Sequence, residues 1–283
     1  METQNPQDES KPEIVILPDR AALARDAATR FVALARESIQ TRGRFAVALS
    51  GGSTPRELYA RLATPEFASQ VDWACTHFFW GDERAVPPDH PDSNFKMAND
   101  VLLSRVNVPA QNIHRIRAEL PAEDAAREYE GELREFFNSP LSLRAAERQS
   151  NPQSTLEIAT SPNASRLLAM TGTPWFDLIL LGLGANGHTA SLFPHTRVLR
   201  ESQRWVAAEY INEVKMWRIT LTAPVINAAA NILWLVTGMD KAETVHAVLR
   251  GAYRPDDLPA QLIRPANSKC VWLLDAAAAS RLQ

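Results

Sequence analysis

One stretch constrains this chain more than any other: FDLILLGLGANGHTASLFPHT, from Phe176 to Thr196. Its first half is a continuous apolar run with the length and flanks of a strand buried on both faces. It then breaks into a loop carrying Gly182, Gly184 and Gly187, and delivers His188 where a helix can begin. A loop that follows a buried parallel strand opens at the carboxyl edge of the sheet, where open α/β folds bind ligands. Glycines there let the backbone approach a ligand closely. Histidine is the side chain whose ordinary pKa lets it exchange a proton near neutral pH. GLGANG also fits the dinucleotide pattern G-x-G-x-x-G, which needs an acidic residue about 20 positions on, at the end of the next strand. Glu201 and Glu209 meet that spacing only loosely, and the loop lies far past an opening βαβ unit. The fingerprint alone carries little weight.

The flanking chain supports an α/β reading. Residues 1–12 are polar and acidic and read as a disordered tail, neither a signal peptide nor an anchor. Glu13–Leu17 reads as a short strand, and Asp19 as the cap of a helix with Leu23, Ala27, Phe31, Leu34, Ala35 and Ile39 on one face. Phe45–Leu49 is a second buried strand, Cys75–Trp80 a third, and Ile113–Ile116 a short one between helices at Ser93–Ser104 and Pro121–Phe137. Asn138–Thr173 turns polar and reads as an inserted loop with a helical piece at Ser165–Met170. Further strands are expected at Arg204–Tyr210, Trp217–Leu221, Ile232–Val236 and Cys270–Leu274, with a short helix through Ile226 and another after Lys241. Strands of one buried type lie on both sides of the insertion, so residues 13–283 are expected to form a single domain.

Composition narrows the function. A formal net charge of −3 gives no basic signature for nucleic acid or a membrane surface. No apolar span reaches the roughly 18 residues a membrane helix needs, which predicts a cytoplasmic protein. Cys75 and Cys270 sit in strand-like runs and read as buried reduced thiols rather than a disulfide. The histidines are scattered and no paired-cysteine spacing occurs, so neither a metal site nor a cofactor is expected.

Two more segments sit where strands hand over to loops. In Ser50-Gly51-Gly52-Ser53-Thr54-Pro55-Arg56-Glu57, Thr54 to Glu57 has the form of a capping box with proline at the first helical position. The bare N–H groups and hydroxyls before it suit an anion at a helix N-terminus. The simpler reading is a well-capped helix after a tight turn, yet a cap needs neither glycine. No Gly-Lys-Ser/Thr follows, so it is not a Walker A loop. Asp82-Glu83-Arg84 follows the third strand; a charge run is usually a solvated face, but this one is flanked by aromatic residues and prolines. Lys241 stands in the first turn of its helix, where a cation opposes the helix dipole unless an anion lies across that terminus.

Four segments, SGGSTP, GDERAVPPDHPDSN, LGLGANGHTASLFP and RITLTAPVINAAANILWLVTGMDKA, occur together in this order. The set resembles the 6-phosphogluconolactonases, within the wider group of sugar-phosphate isomerases and glucosamine-6-phosphate deaminases, from about residue 14 to 275 outside the insertion. The resemblance implies a three-layer αβα fold with a doubly wound, mostly parallel sheet. It also implies metal-independent hydrolysis of 6-phosphogluconolactone in the oxidative pentose phosphate pathway, by a monomer or weak homodimer. Carried onto this sequence, it makes Gly51, Gly52, Ser53 and Thr54 a phosphate cradle with Lys241 as its cation. Arg84 and Arg218 become substrate anchors and His188 the general base. Gly184 and Gly187 contribute to the substrate loop, whose N–H groups, or Arg84, would meet the oxyanion. Asp82 would orient His188, an arginine or a sugar hydroxyl, with a direct base role as its second possibility. The group carries aspartate two residues before the histidine, where this chain has Asn186, a neutral partner that orients the ring without charge; Asn186→Asp is accordingly expected to raise kcat. The deaminases carry a glutamate soon after the Gly-His pair, whereas Ser191–His195 holds no carboxylate. A sugar-phosphate sensor with weakened chemistry is the remaining alternative, and the short acidic tail offers no helix-turn-helix.

Overall fold

The apolar runs become strands of one parallel sheet. A computed structural model describes residues 12–138, 175–266 and 268–282. Apart from flanking residues, the expected tail and the insertion with its helical piece lie outside that range. Strands β1 (Glu13–Leu17), β2 (Phe45–Leu49), β3 (Thr76–Trp80), β5 (Leu178–Leu181), β8 (Asn231–Val236) and β9 (Lys269–Asp275) form a six-stranded sheet in the order β1-β9-β8-β5-β2-β3. Every pair in it is parallel. β2 and β5 are buried along their whole length, as continuous apolar runs require. The helices that cover the sheet are α1 (Arg20–Arg42), α2 (Ser53–Leu62), the short α3 (Pro65–Ala68), α4 (Asn94–Val101), α5 (Ala122–Asn138), α6 (Ala223–Asn227) and α7 (Ala242–Arg250). Asp19 caps α1 by accepting from the Ala22 N–H at 2.8 Å, and Gly43 ends it in the left-handed region at φ 76°. On its buried face Leu23, Ala27, Phe31 and Ala35 are fully packed, whereas Leu34 and Ile39 lie at the edge.

A second sheet was not expected. β4 (Asp82–Arg84), β6 (Val206–Ile211) and β7 (Met216–Leu221) pair antiparallel in the order β4-β7-β6. The charge run 82–84 is therefore a strand rather than a solvated loop, and α5 packs against β6 and β7. Other expectations also need correction. Ile113–Ile116 makes a single bridge to Phe78 and no strand. Cys75 ends a 3-10 turn, Trp73–Cys75, just before β3. Both cysteines are free, and both are half-buried rather than fully packed.

Two buried tyrosines finish the strands that lead into the site. The Tyr59 hydroxyl accepts from the Ser50 N–H at 2.9 Å and donates to the Ser50 carbonyl at 2.8 Å, just past β2. Tyr129 does the same for both backbone groups of Trp80, the last residue of β3, at 2.9 and 3.0 Å. Burial pushes the Tyr59 phenol well above its ordinary pKa, so it stays protonated and can serve in both directions. At the opposite end of the sheet, buried Asp177 receives the Ala46 N–H at 2.7 Å and pairs with Arg42 at 2.6 Å. Asp177→Ala strands the Arg42 charge and is expected to cost roughly 3–5 kcal/mol, read as a lower urea midpoint with unchanged slope. A midpoint equal to the parent's would show that the pair contributes nothing net. No helix among the described residues is long and apolar enough to cross a membrane.

Candidate active site

Three neighbouring parallel strands, β8, β5 and β2, each release a loop at the carboxyl edge of the sheet. The strand order reverses between β2 and β5, the point where open α/β sheets leave a crevice. Ser50–Thr54 follows β2, Gly182–His188 follows β5, and Thr237–Lys241 follows β8.

The first loop does not form the capping box its letters suggest. Helix α2 begins at Ser53, its N-cap is Gly52, and no side chain caps it. Pro55 stands third in the helix, and Thr54 shares a 2.7 Å hydrogen bond with Thr237 instead of capping. The first N–H groups of a helix have no carbonyl one turn back, so they remain for an outside acceptor. Gly52 has φ 105°, a conformation that other residues rarely adopt. Gly51 is needed for space, because a Cβ there would fall 1.9 Å from Asn94 Oδ1. The Ser50 hydroxyl is buried without a partner among the described residues. From β8, Thr237 ties that strand's end to the cradle, and Lys241 closes a 3-10 turn before α7 with its side chain only 23% exposed. Lys241 also pairs with exposed Asp240 at 3.2 Å.

The central loop folds on itself, and no helix starts after His188. The Gly184 N–H donates to the His188 carbonyl at 2.8 Å and the Gly187 N–H to the Gly184 carbonyl at 3.0 Å. Positive φ angles at Gly187 (80°), Ala190 (47°) and His195 (60°) then turn the chain repeatedly, which prevents a helix. The N–H groups of Gly184 and Gly187 are thus engaged inside the loop and cannot receive an oxyanion. Their part is spatial: a Cβ on Gly184 would fall 2.0 Å from His188 Nδ1, and one on Gly187 would fall 2.7 Å from Leu258. Thr244 of α7 holds the tip by donating to the Ala185 carbonyl at 2.7 Å.

His188 is half-buried, stacked on Phe193 with ring centres 4.0 Å apart. Its Nδ1 lies 2.5 Å from Asn186 Oδ1, and Asn186 Nδ2 donates to Glu213 Oε2 at 2.8 Å. With the amide oxygen facing it, Nδ1 carries the proton and Nε2 keeps its lone pair. Burial pulls the imidazole pKa down to about 4; the charges of Asp82 and Glu213 oppose this, and those of Arg218 and Lys241 reinforce it. At neutral pH the ring is an uncharged base.

The small sheet brings the cations. Arg84 of β4 and Arg218 of β7 are register partners, and neither guanidinium forms an ion pair with a carboxylate among the described residues. Arg84 donates to the Asp92 carbonyl at 2.6 Å, while Nε of both arginines is buried without a partner there. Burial, then the neighbouring Arg84 charge, lowers the pKa of Arg218. The charges of Asp82, Glu83 and Asp92 act on Arg218 from nearby, yet two adjacent guanidinium groups with no carboxylate in direct contact suit an anionic ligand or a developing oxyanion.

The carboxylates beside them are held by hydrogen bonds within the fold. Asp82 accepts from Ser191 Oγ at 2.7 Å and from Asn94 Nδ2 at 3.3 Å, so its hydrogen bonds reach neither His188 nor an arginine. It acts on His188 only through its charge. Glu83 takes the N–H groups of Arg84, Asn94 and Phe95 at 2.9, 2.7 and 2.8 Å, fixing the start of α4 against β4. The sequence assigned no individual role to Glu83, Asn94, Ser191 or Glu213. Ser191 and Asn94 lay within quoted segments, but nothing in their spacing marks a partner so distant in the chain. Among the described residues no group of three or more His, Cys, Asp and Glu side chains is arranged to hold a metal ion.

Comparison with known proteins gives a consistent result. The family model described as glucosamine-6-phosphate isomerases/6-phosphogluconolactonase matches residues 18–272. A 6-phosphogluconolactonase of Nostoc sp. is 38% identical over 276 residues, covering 96% of this chain and 99% of the relative. A probable 6-phosphogluconolactonase 1 of Arabidopsis thaliana is 36% identical, covering 95% and 93%. Among solved structures, 6-phosphogluconolactonase from Trypanosoma cruzi superposes with a TM-score of 0.75 at 26% identity, covering 96% of this chain and 97% of that one.

Proposed function

This chain belongs to the glucosamine-6-phosphate isomerase/6-phosphogluconolactonase family, and on that premise we propose that it hydrolyses 6-phosphogluconolactone to 6-phosphogluconate with His188 as general base. The observation that carries the reading is the 2.5 Å contact between Nδ1 of His188 and the Asn186 amide oxygen. His188 is neutral, its Nδ1 is held by Asn186, and its Nε2 is left to accept a proton. It sits in the same carboxyl-edge crevice as a helix-terminus cradle and a pair of arginines that form no ion pair among the described residues.

The steps follow from those groups. The phosphate lies on the N–H groups around Gly51, Gly52, Ser53 and Thr54, with Lys241 supplying positive charge. Binding there orients the distant carbonyl and converts attack by water into an effectively unimolecular step. Nε2 of His188 takes a proton from the water as its oxygen adds to the lactone carbonyl carbon. The carbonyl electrons move onto oxygen, where Arg84 and Arg218 stabilise the charge. The intermediate collapses with cleavage of the carbon–ring oxygen bond, and the imidazolium returns its proton to that oxygen. The product acid ionises in water.

The direct test follows loss of freshly generated lactone against its spontaneous decay, with and without protein. Identical decay curves overturn the proposal, and release of ammonia from glucosamine 6-phosphate would favour the deaminase alternative. A pH profile adds a second check. Because burial holds the ring near pKa 4 rather than its ordinary 6.5, kcat at saturating lactone is expected to stay flat through pH 6 and fall only as the pH approaches 4. The sign is fixed: protonation removes the base, so activity is lost on the acid side. A limb centred near 6.5 would mean that the ring works in a wetter setting than this one.

A further inference from the structure

The hairpin between β6 and β7 turns through Asn212-Glu213-Val214-Lys215, closed by the Ile211–Met216 register pair. Its tip reaches back to the loop after β5, where Glu213 Oε2 receives the Asn186 Nδ2 proton at 2.8 Å. We propose that Glu213 is a positioning residue: through the Asn186 amide it selects the His188 tautomer in which Nε2 is unprotonated. This rests on the reading of His188 as the base.

Hydrogen-bond polarity decides which way the Asn186 amide faces. A primary amide has an accepting end and a donating end, and the two differ little in shape. An ionised carboxylate can only accept. Glu213 therefore takes the NH2 end of Asn186 and turns the oxygen toward the ring. An oxygen facing Nδ1 requires a proton there, and a neutral imidazole with a proton on Nδ1 has its lone pair on Nε2. If the amide flipped, its NH2 would face Nδ1, the proton would move to Nε2, and the nitrogen available to the water would become a donor. The backbone N–H of His188 also points at Asn186 Oδ1, at 3.2 Å, so Glu213 is the stronger of two constraints on that amide. Glu213 also places a negative charge one link behind the ring and favours its protonation, as Asp82 does, against Arg218 and Lys241. Glu213 is exposed, so the bond adds little stability; its effect lies in direction.

Asn186→Asp tests this from the other side. It sets a second carboxylate against Glu213 and leaves no donor between them. The gain in kcat expected from the sequence therefore requires Glu213 to be neutralised as well. The experiment measures kcat, KM and the ring-nitrogen NMR shifts of His188 in the full-length protein for Glu213→Ala and Glu213→Gln, each in the parent and in Asn186→Asp. In the parent background, Glu213→Ala is expected to lower kcat about tenfold with KM within about twofold, and to move the ring signals toward the Nε2–H tautomer. Glu213→Gln, which can pair with either face of the Asn186 amide, is expected to fall between. In Asn186→Asp the sign reverses, and Glu213→Gln raises kcat. Parent-like ring shifts and kcat in Glu213→Ala, or an equal loss in both backgrounds, overturn the proposal. A parent protein that leaves lactone decay unchanged defeats the base assignment instead, and the ring shifts still decide whether Glu213 sets the tautomer.

Discussion

His188→Ala is expected to lower kcat by about 10²–10⁴-fold, the usual contribution of one well-placed general base. KM for the lactone should stay within a few-fold, because the groups assigned to the phosphate come from other segments. Those segments are the turn after β2 and the Lys241 turn after β8, tied to each other by the 2.7 Å Thr54–Thr237 bond rather than by the imidazole. A loss confined to kcat is the signature of an interaction made only in the transition state. The floor is the uncatalysed rate, since the lactone opens unaided, so decay without protein must be subtracted. The ring also packs on Phe193, so a thermal unfolding curve should accompany the rates. If the purified, folded variant matches the parent, His188 is a packed loop residue and the proposed chemistry is wrong.

Gly184→Ala is expected to come close to the same loss without touching a reacting group. The added methyl would fall 2.0 Å from Nδ1 and 2.1 Å from Cε1 of His188. Phe193 stacks against one face of the ring at 4.0 Å, and Asn186 holds its edge at 2.5 Å. Any shift that relieves the clash breaks one of those contacts and moves Nε2. A displacement of about 1 Å from a productive position costs on the order of 10²-fold, so kcat should fall by about that factor or more while KM moves little. Gly182→Ala is the matching control: a methyl there meets nothing within 4 Å, and that variant should keep most of the rate. Equal rates for the two variants would show that the room around the ring does not limit the reaction.

The contrast between these glycines also shows what could be read in advance. Residue types and spacing marked the loop, its histidine and its position after a buried strand. They did not show that Gly184 makes room for the imidazole while its N–H is engaged within the turn. The N-terminus of α2 is similar. Thr54-x-x-Glu57 has the letters of a capping box, yet Thr54 bonds to Thr237, 183 residues away, and glycine occupies the cap. A local pattern competes with tertiary partners, and here a neighbouring strand's threonine prevailed. The charge run at 82–84 was marked by its aromatic and proline flanks, but its pairing as a strand was not legible for the same reason. Glu83 is 2% exposed because the N-terminus of α4 supplies its hydrogen bonds.

The sequence by itself determined the parallel sheet and the three carboxyl-edge loops, and marked His188 as the candidate base. Those features depend on apolar runs and on residue chemistry, which act within a few positions along the chain. Only the tertiary structure decided what surrounds the base. The β4-β7-β6 sheet sets Arg84 and Arg218 side by side, and its hairpin sets Glu213 against Asn186, 27 residues earlier. Ser191 reaches Asp82 across 109 residues. Hydrogen bonds and charges at such separations leave no period or spacing in the chain, because they exist only once packing has brought distant segments within about 3 Å of each other.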